Sequence, residues 1–169
     1  MLPDPTPSSP RTLPQTLGHA GIAALIPHSG AMCLLDRLCA WDTQRIACRA
    51  TNHRHSAHAL RSASGLLALV AIEYAAQAMA LHGALIGQAT GTPSTPGYLA
   101  SARSVQLHVL RLDDLALDGN ADEPDELHIE ATRLAGDARQ ILYAFNVTHQ
   151  GRPVAEGRAA VVLNTALAA

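Results

Sequence analysis

The sequence predicts an α+β fold in which a curved antiparallel sheet of five to six strands wraps around one long central helix. One segment of 23 residues, 65–87, is apolar around almost its whole circumference, which is typical of a helix buried in protein. The segments that follow it alternate apolar and polar residues with a period of two, which indicates strands with one buried face. Only one long helix accompanies these strands, and the economical packing therefore wraps the sheet around it.

The 169 residues suit a single domain with a short tail. Residues 1–16 are rich in Pro, Ser and Thr and have too little apolar surface to offset the entropy that is lost on ordering. We therefore expect a disordered N-terminal tail over 1–16 and one folded domain over 17–169. The tail lacks the apolar core of a signal peptide or a membrane anchor, which predicts a cytoplasmic protein.

The composition excludes several classes of function. The formal net charge is −2 and aromatic residues make up 3% of the chain, so the basic field and the stacking surface of a nucleic-acid-binding protein are both missing. Charged residues make up 15%, against a typical share of about 25%. This low share predicts that part of the surface is buried against a partner. Cys33, Cys39 and Cys48 have no CxxC spacing and are predicted to be reduced thiols.

Turn residues and apolar periodicity predict the remaining elements. Before the long helix, the patterns indicate one short helix and two strands, over 17–25, 32–41 and 45–51. A polar stretch with three histidines, 52–64, then leads into the helix, and a loop containing Gly and Pro, 87–97, must end it. The rest of the chain reads as four strands, over 98–110, 126–134, 139–149 and 153–163. An acidic loop over 111–125 separates the first of these strands from the second.

The long helix carries one carboxylate. Glu73 lies near its middle, and Gln77 lies one turn further along the same face. The segment is long enough to span a bilayer, but a carboxylate at the bilayer centre costs roughly 2.5 kcal/mol or more. We therefore expect a core helix and no membrane partner. The carboxyl group must be paired, for example with Arg61 or Arg103, or must face a cavity, where it could act as a general acid.

Two motifs resemble those of a known enzyme family. The segment IPHSGAMCLLDRL, residues 26–38, is similar to the entry segment of the β-hydroxyacyl-carrier-protein dehydratases, in which Pro-His precedes an apolar pair and Asp-Arg. The helix segment IEYAAQAM, residues 72–79, is similar to the family's central helix and places Glu73 on its catalytic glutamate. The resemblance implies the hotdog fold, which is a curved antiparallel sheet around one helix.

The resemblance is closer to the dehydratase-like proteins of aryl-polyene biosynthetic clusters. His53, the segment HALR at 58–61 and the helix segment 72–80 are similar to elements of that group. The well-characterised dehydratases place a catalytic histidine in a Gly-His-Phe-Pro-Gly turn, at the position of Ala59 in this chain. His58 is the neighbour of that position, and our hypothesis is therefore that His58 acts as the base, with His53 as its substitute.

The resemblance also implies a reaction and a set of partners. The reaction is dehydration of a β-hydroxyacyl chain held by phosphopantetheine on an acyl carrier protein, with Glu73 as the acid and Gln77 as an orienting group. Backbone N–H groups near Gly65, at the start of the helix, would stabilise negative charge on the thioester oxygen. Arg61 would meet the phosphopantetheine arm or the carrier protein. No metal and no cofactor are expected.

Several alternatives remain open from the sequence. The spacing of His53, His55 and His58 could serve a zinc ion. His28 matches a family position but is predicted to be structural, capping the first turn. A hotdog thioesterase would also use a helix carboxylate, and a non-catalytic hotdog subunit could pair with an active dehydratase. Hotdog subunits commonly join their sheets, so the partner is a second copy in a homodimer or a different hotdog chain in a heterodimer.

Overall fold

The computed structural model describes residues 13–92, 97–117 and 124–163. Most of the predicted N-terminal tail, 1–16, lies outside these ranges, as do parts of the two predicted loops 87–97 and 111–125. The described residues form one antiparallel sheet with a long helix packed against it, which confirms the predicted α+β class.

The sheet has seven strands in the order β1-β2-β3-β5-β6-β7-β4, and every neighbouring pair is antiparallel. The strands are β1 Leu17–Gly18, β2 Arg37–Trp41, β3 Arg45–Ala50, β4 Gly97–Leu107, β5 Leu127–Gly136, β6 Gln140–His149 and β7 Arg152–Leu163. The sequence predicts five to six strands, and the additional strand in the structure is β1. It was expected to belong to a helix over 17–25, but Leu17 pairs with Leu38 of β2, and the helix α1 is confined to His19–Ala23.

Polar turns join the hairpins where the sequence predicts them. Asp42 and Asp137 each accept two backbone N–H groups of the turn that follows, at 2.7–2.8 Å and 2.7–3.0 Å respectively. The turn between β6 and β7 places Gln150 at φ +46° and Gly151 at φ +70°. Two central residues with positive φ suit the twist of a tight hairpin.

The long helix, α2, spans Ala71–Thr90 and follows a short 3-10 turn over Ala68–Val70. It begins later than the predicted 65, because Leu66 and Ala68 are bound to another segment: Leu66 O accepts the N–H of Leu112, and Ala68 N donates to Leu110 O. It ends at Thr90, and the φ of +67° at Gly91 gives a left-handed C-terminal cap.

The core lies between α2 and one face of the sheet. The helix contacts β3, β5, β6 and β7, and Tyr74, Ala78 and Leu85 are fully buried in this contact. The span Ala68–Thr90 is long and apolar enough to cross a membrane, but more than half of it is buried inside the protein. The prediction of a core helix is in keeping with this packing, because the sheet covers the apolar surface that lipid would otherwise have to cover.

Candidate active site

A cavity of about 440 Å³ runs along one face of α2. This volume is within the usual range of small-molecule sites, about 300–1,000 Å³. The helix forms one wall, and the segment before β2 and the ends of β4 and β7 form others. Glu73 and His28 both line this cavity.

Glu73 and His28 form a close pair in this cavity. His28 Nε2 lies 3.2 Å from Glu73 Oε1, and the two side chains are 27% and 31% exposed, so small molecules can reach both. Glu73 is held by the first turn of α2, whereas His28 comes from the connection between α1 and the 3-10 turn Gly30–Met32. The structure therefore corrects the expectation for His28, which caps no turn and instead faces the predicted catalytic carboxylate.

Gln77 fixes the position of Glu73. Its Nε2 donates to Glu73 Oε1 at 3.0 Å and to Met32 O at 2.8 Å, and its Oε1 accepts the N–H of Leu34 at 2.8 Å. Gln77 is completely buried and does not line the cavity. The predicted orienting role fits this geometry better than direct binding of substrate, because the amide is already used by protein groups.

His58 belongs to a different hydrogen-bond network. Its Nδ1 accepts the N–H of Leu60 at 3.1 Å, which leaves Nε2 as the protonated nitrogen, and Nε2 lies 3.0 Å from the hydroxyl of Tyr74. Tyr74 in turn donates to Asn52 Oδ1 at 2.5 Å. Burial lowers the pKa of His58 and raises that of Tyr74, which keeps both groups neutral. His58 does not line the cavity that holds Glu73, so the structure does not bring this predicted pair together.

His53 is also separated from Glu73. It is fully buried, and its Nε2 lies 3.1 Å from Oδ1 of Asp125. His149 Nε2 lies 2.8 Å from the same oxygen, and Arg54 donates to the other carboxylate oxygen at 2.6 Å. Burial alone would raise the pKa of Asp125, but the hydrogen bonds from Arg54 and His149 lower it to about 2. His53 is thus a buried member of a partly exposed cluster in which Arg54 and Asp125 form the ion pair.

The structure brings together a different set of potential zinc ligands from the set that the sequence suggested. Among the described residues, His53, Asp125 and His149 are the group whose ligand atoms converge, within 4.8 Å of one another, and His55 and His58 do not join them. Arg54 already balances the charge of Asp125. The cluster therefore has a sufficient structural role without an ion, because it ties the turn before β5 to the end of β6.

Arg61 and Gly65 lie in a second polar cluster, away from the cavity lining. Arg61 Nη2 lies 2.7 Å from Asp113 Oδ2, and Arg111 binds the same carboxylate through two nitrogens. The hydrogen bonds from Arg111 hold the pKa of Asp113 well below its usual range. Gly65 has φ +96°, and the Arg111 guanidinium packs where a Cβ would stand. The N–H of Gly65 donates to Ser62 O at 3.0 Å, so it is not free to bind a thioester oxygen.

Three buried histidines predict that the fold loses stability in mild acid. Burial lowers the pKa of His53, His58 and His82, so in the folded state these rings bind protons less readily than in the unfolded chain. The free energy of unfolding should therefore fall as the pH drops below about 6.5, the unfolded value. Urea denaturation at neutral and mildly acidic pH measures how the free energy of unfolding depends on pH. The variant H82Q should show a shallower dependence than wild type, and equal slopes in the two proteins would contradict the prediction.

The chain is similar to a known protein family and to solved structures. The family model "ApeP-like: ApeP dehydratase" matches residues 20–169. Among curated proteins, none matches the chain. The dehydratase heterocomplex ApeI:P from Xenorhabdus doucetiae is a similar solved structure, with a TM-score of 0.72 and 19% identity over 85% of this chain and 91% of that chain.

Two further structures share the fold at lower similarity. The PaaI protein of the E. coli phenylacetic acid degradation operon has a TM-score of 0.52 and 12% identity, over 85% of this chain and 88% of that one. A hypothetical thioesterase with coenzyme A from Streptococcus pneumoniae TIGR4 has a TM-score of 0.51 and 12% identity, over 78% and 87%. Together with the seven-stranded sheet around one helix, these similarities confirm the predicted hotdog fold.

Proposed function

The chain belongs to the ApeP-like dehydratase family, and from that membership we propose that it dehydrates β-hydroxyacyl chains carried on an acyl carrier protein, during assembly of an aryl polyene. The observation that carries the proposal is the pairing of Glu73 with His28 in a cavity large enough for an acyl chain. The proposal keeps the acid predicted from the sequence and replaces His58 and His53 by His28 as the base.

The pair supplies the two proton transfers that the reaction requires. Loss of water needs a base for the α-proton and an acid for the leaving hydroxyl. His28, in its neutral form, takes the α-proton, and the released electron pair forms the α,β double bond. The C–O bond breaks as protonated Glu73 gives its proton to the hydroxyl, which leaves as water. A proton then returns from His28 to Glu73 across their 3.2 Å contact and restores the starting state.

Partner subunits are part of the proposal. The outer strand of the described sheet, β4, exposes Tyr98 and Leu99, which are 44% and 40% accessible, and its outer edge has no strand partner there. An exposed apolar edge is suited to pairing with another sheet. The similar structure ApeI:P is a heterocomplex, which favours a different hotdog chain over a second copy. We propose that the assembly acts in the cytoplasm.

One buried nitrogen also supports the proposal that a group from outside this chain completes the site. His28 Nδ1 has no hydrogen-bond partner among the described residues, although it is buried. A buried polar nitrogen without a partner costs about 1–3 kcal/mol. A group from the partner subunit or from the bound substrate would remove this cost.

Parallel assays of dehydration and hydrolysis test the proposed function. The purified chain, alone and with any hotdog protein that co-purifies, is supplied with β-hydroxyacyl thioesters on a carrier protein, and products are followed by mass spectrometry. Loss of one water without loss of the acyl group supports the dehydratase. Release of free acid instead would show a thioesterase. If the activity of the complex does not change when Glu73 and His28 are replaced, this chain is a non-catalytic subunit.

A further inference from the structure

Gly83 is a glycine that the fold itself does not require. It lies inside α2, where glycine is among the poorest helix formers. Its φ is not in the positive range that would favour glycine. A Cβ built at this position has no atom within 4 Å, so close packing does not require glycine either. The open space beside Gly83 is the cavity that also holds Glu73.

The distance from Glu73 to Gly83 corresponds to a long substrate. Ten residues separate them, and a helix rises about 1.5 Å per residue, so Gly83 lies about 15 Å along the axis from the carboxylate. An extended chain advances about 1.2 Å per bond, from a backbone length of about 3.6 Å over three bonds. A carbon chain of about a dozen bonds that starts at the reacting atoms would therefore reach Gly83.

The lining beyond the reacting pair suits hydrocarbon. Between the pair and Gly83, α2 presents Ala76, Met79 and Ala80, and Ile141 and Val161 line the cavity from the sheet. Apart from the reacting pair, the charged residues of the lining are Arg133 and Asp137, so the lining is apolar in its larger part. The phosphopantetheine arm contains amide groups, and burying an amide without hydrogen-bond partners is costly. An apolar acyl tail has no such groups, and its burial is favourable in proportion to its area.

We propose that the tail of the acyl chain lies along this face of α2 and passes Gly83, which sets the length of substrate that the site accepts. The inference rests on the proposed function and specifies its substrate class: acyl chains that are long, extended and unbranched where they pass the helix. The reacting end then enters beside His28, and the carrier arm stays outside the apolar part of the cavity. Short acyl chains bind at the reacting pair without reaching Gly83.

The variant G83L tests this role without disturbing the fold. Leucine favours helix more than glycine does, and its Cβ would meet no neighbouring atom at this position, which lines the cavity. With β-hydroxytetradecanoyl carrier protein, kcat/KM should fall by about tenfold or more. With β-hydroxybutanoyl carrier protein it should remain within about twofold of wild type. The control G83A gains helix propensity with only one added methyl group and should lose much less of the long-chain activity.

Two results would overturn the inference. Equal loss with both chain lengths would mean that the carrier arm, not the tail, passes Gly83. Unchanged long-chain activity in G83L, with melting temperatures at or above that of wild type, would mean that the tail lies elsewhere.

Binding measurements separate this inference from the proposed function. Displacement of a fluorescent long-chain fatty acid by a non-reactive tetradecanoyl thioester analogue is measured with wild type, G83A and G83L, each as the full chain with any hotdog partner that co-purifies. Weaker binding to G83L alone supports the inference even if no chain is dehydrated. Equal binding to all three, or no binding of the analogue to wild type, overturns it whatever the activity.

Discussion

Exchanging Glu73 for glutamine is expected to lower kcat/KM for dehydration by about 10²–10⁴-fold, the usual contribution of a positioned acid or base. The amide has the shape of the carboxyl group and can still accept the hydrogen bond from Gln77, whose Nε2 lies 3.0 Å from Oε1. It has no acidic proton for the leaving hydroxyl. The loss should therefore appear in kcat, with little change in melting temperature, and rates measured on purified E73Q decide this.

Histidine variants identify the base in the same assay. H28N should lose activity to a similar degree, and the double variant H28N/E73Q should be little worse than either single variant, because the two side chains act as one unit. H58Q should keep most of the activity and lose stability, since its Nε2 contacts Tyr74 and not Glu73. An inactive H58Q together with an active H28N would show that His28 has been assigned wrongly.

Exchanging Gln77 for leucine is expected to lower the free energy of unfolding by about 2–4 kcal/mol. The variant removes three hydrogen bonds from a fully buried amide and leaves the N–H of Leu34 without a partner in the core. The connection that carries His28 is held to α2 partly by these bonds, so activity should fall as well. Urea denaturation gives the stability change, and the dehydration assay gives the second effect.

A matched control lies on the same helix. Gln88 is exposed near the C-terminal end of α2, and Q88L should change the free energy of unfolding by no more than about 0.5 kcal/mol. If Q77L were as stable as Q88L, the amide would not hold the connection in place. If Q77L lost stability but kept full activity, Gln77 would have no part in positioning Glu73.

Much of the fold could be predicted because its signals are local. The long apolar run of α2 and the alternation in β5, β6 and β7 are local patterns that need no knowledge of distant residues. The errors arose where pairing between distant segments decided the structure. Leu17 pairs with Leu38 and so forms β1, and Leu66 is bound to Leu112 and so delays the start of α2.

The residues of the candidate site were also predictable only where the sequence signal was local. Glu73 stood out because it is a carboxylate in an apolar helix, and Gln77 followed from helical spacing. His28 lies 45 residues before Glu73 in the sequence, in a connection whose path no periodic pattern describes. A signal was present, since Pro27 and His28 match the family's entry motif. The cluster of His53, Asp125 and His149 joins three distant segments and left no signal in the spacing of the histidines.

The position of β4 at the end of the sheet determines when the fold can be completed. Within the described sheet, β4 is bonded only to β7, with Gly97 opposite Leu163 and Leu107 opposite Ala155. On a ribosome, β4 emerges directly after α2, and its partner β7 is synthesised only after β5 and β6. Until then, Tyr98 and Leu99 have no strand beside them. Closing such a long loop is entropically costly and slow, so the synthesis of β7 controls how long the nascent chain exposes an apolar edge to aggregation.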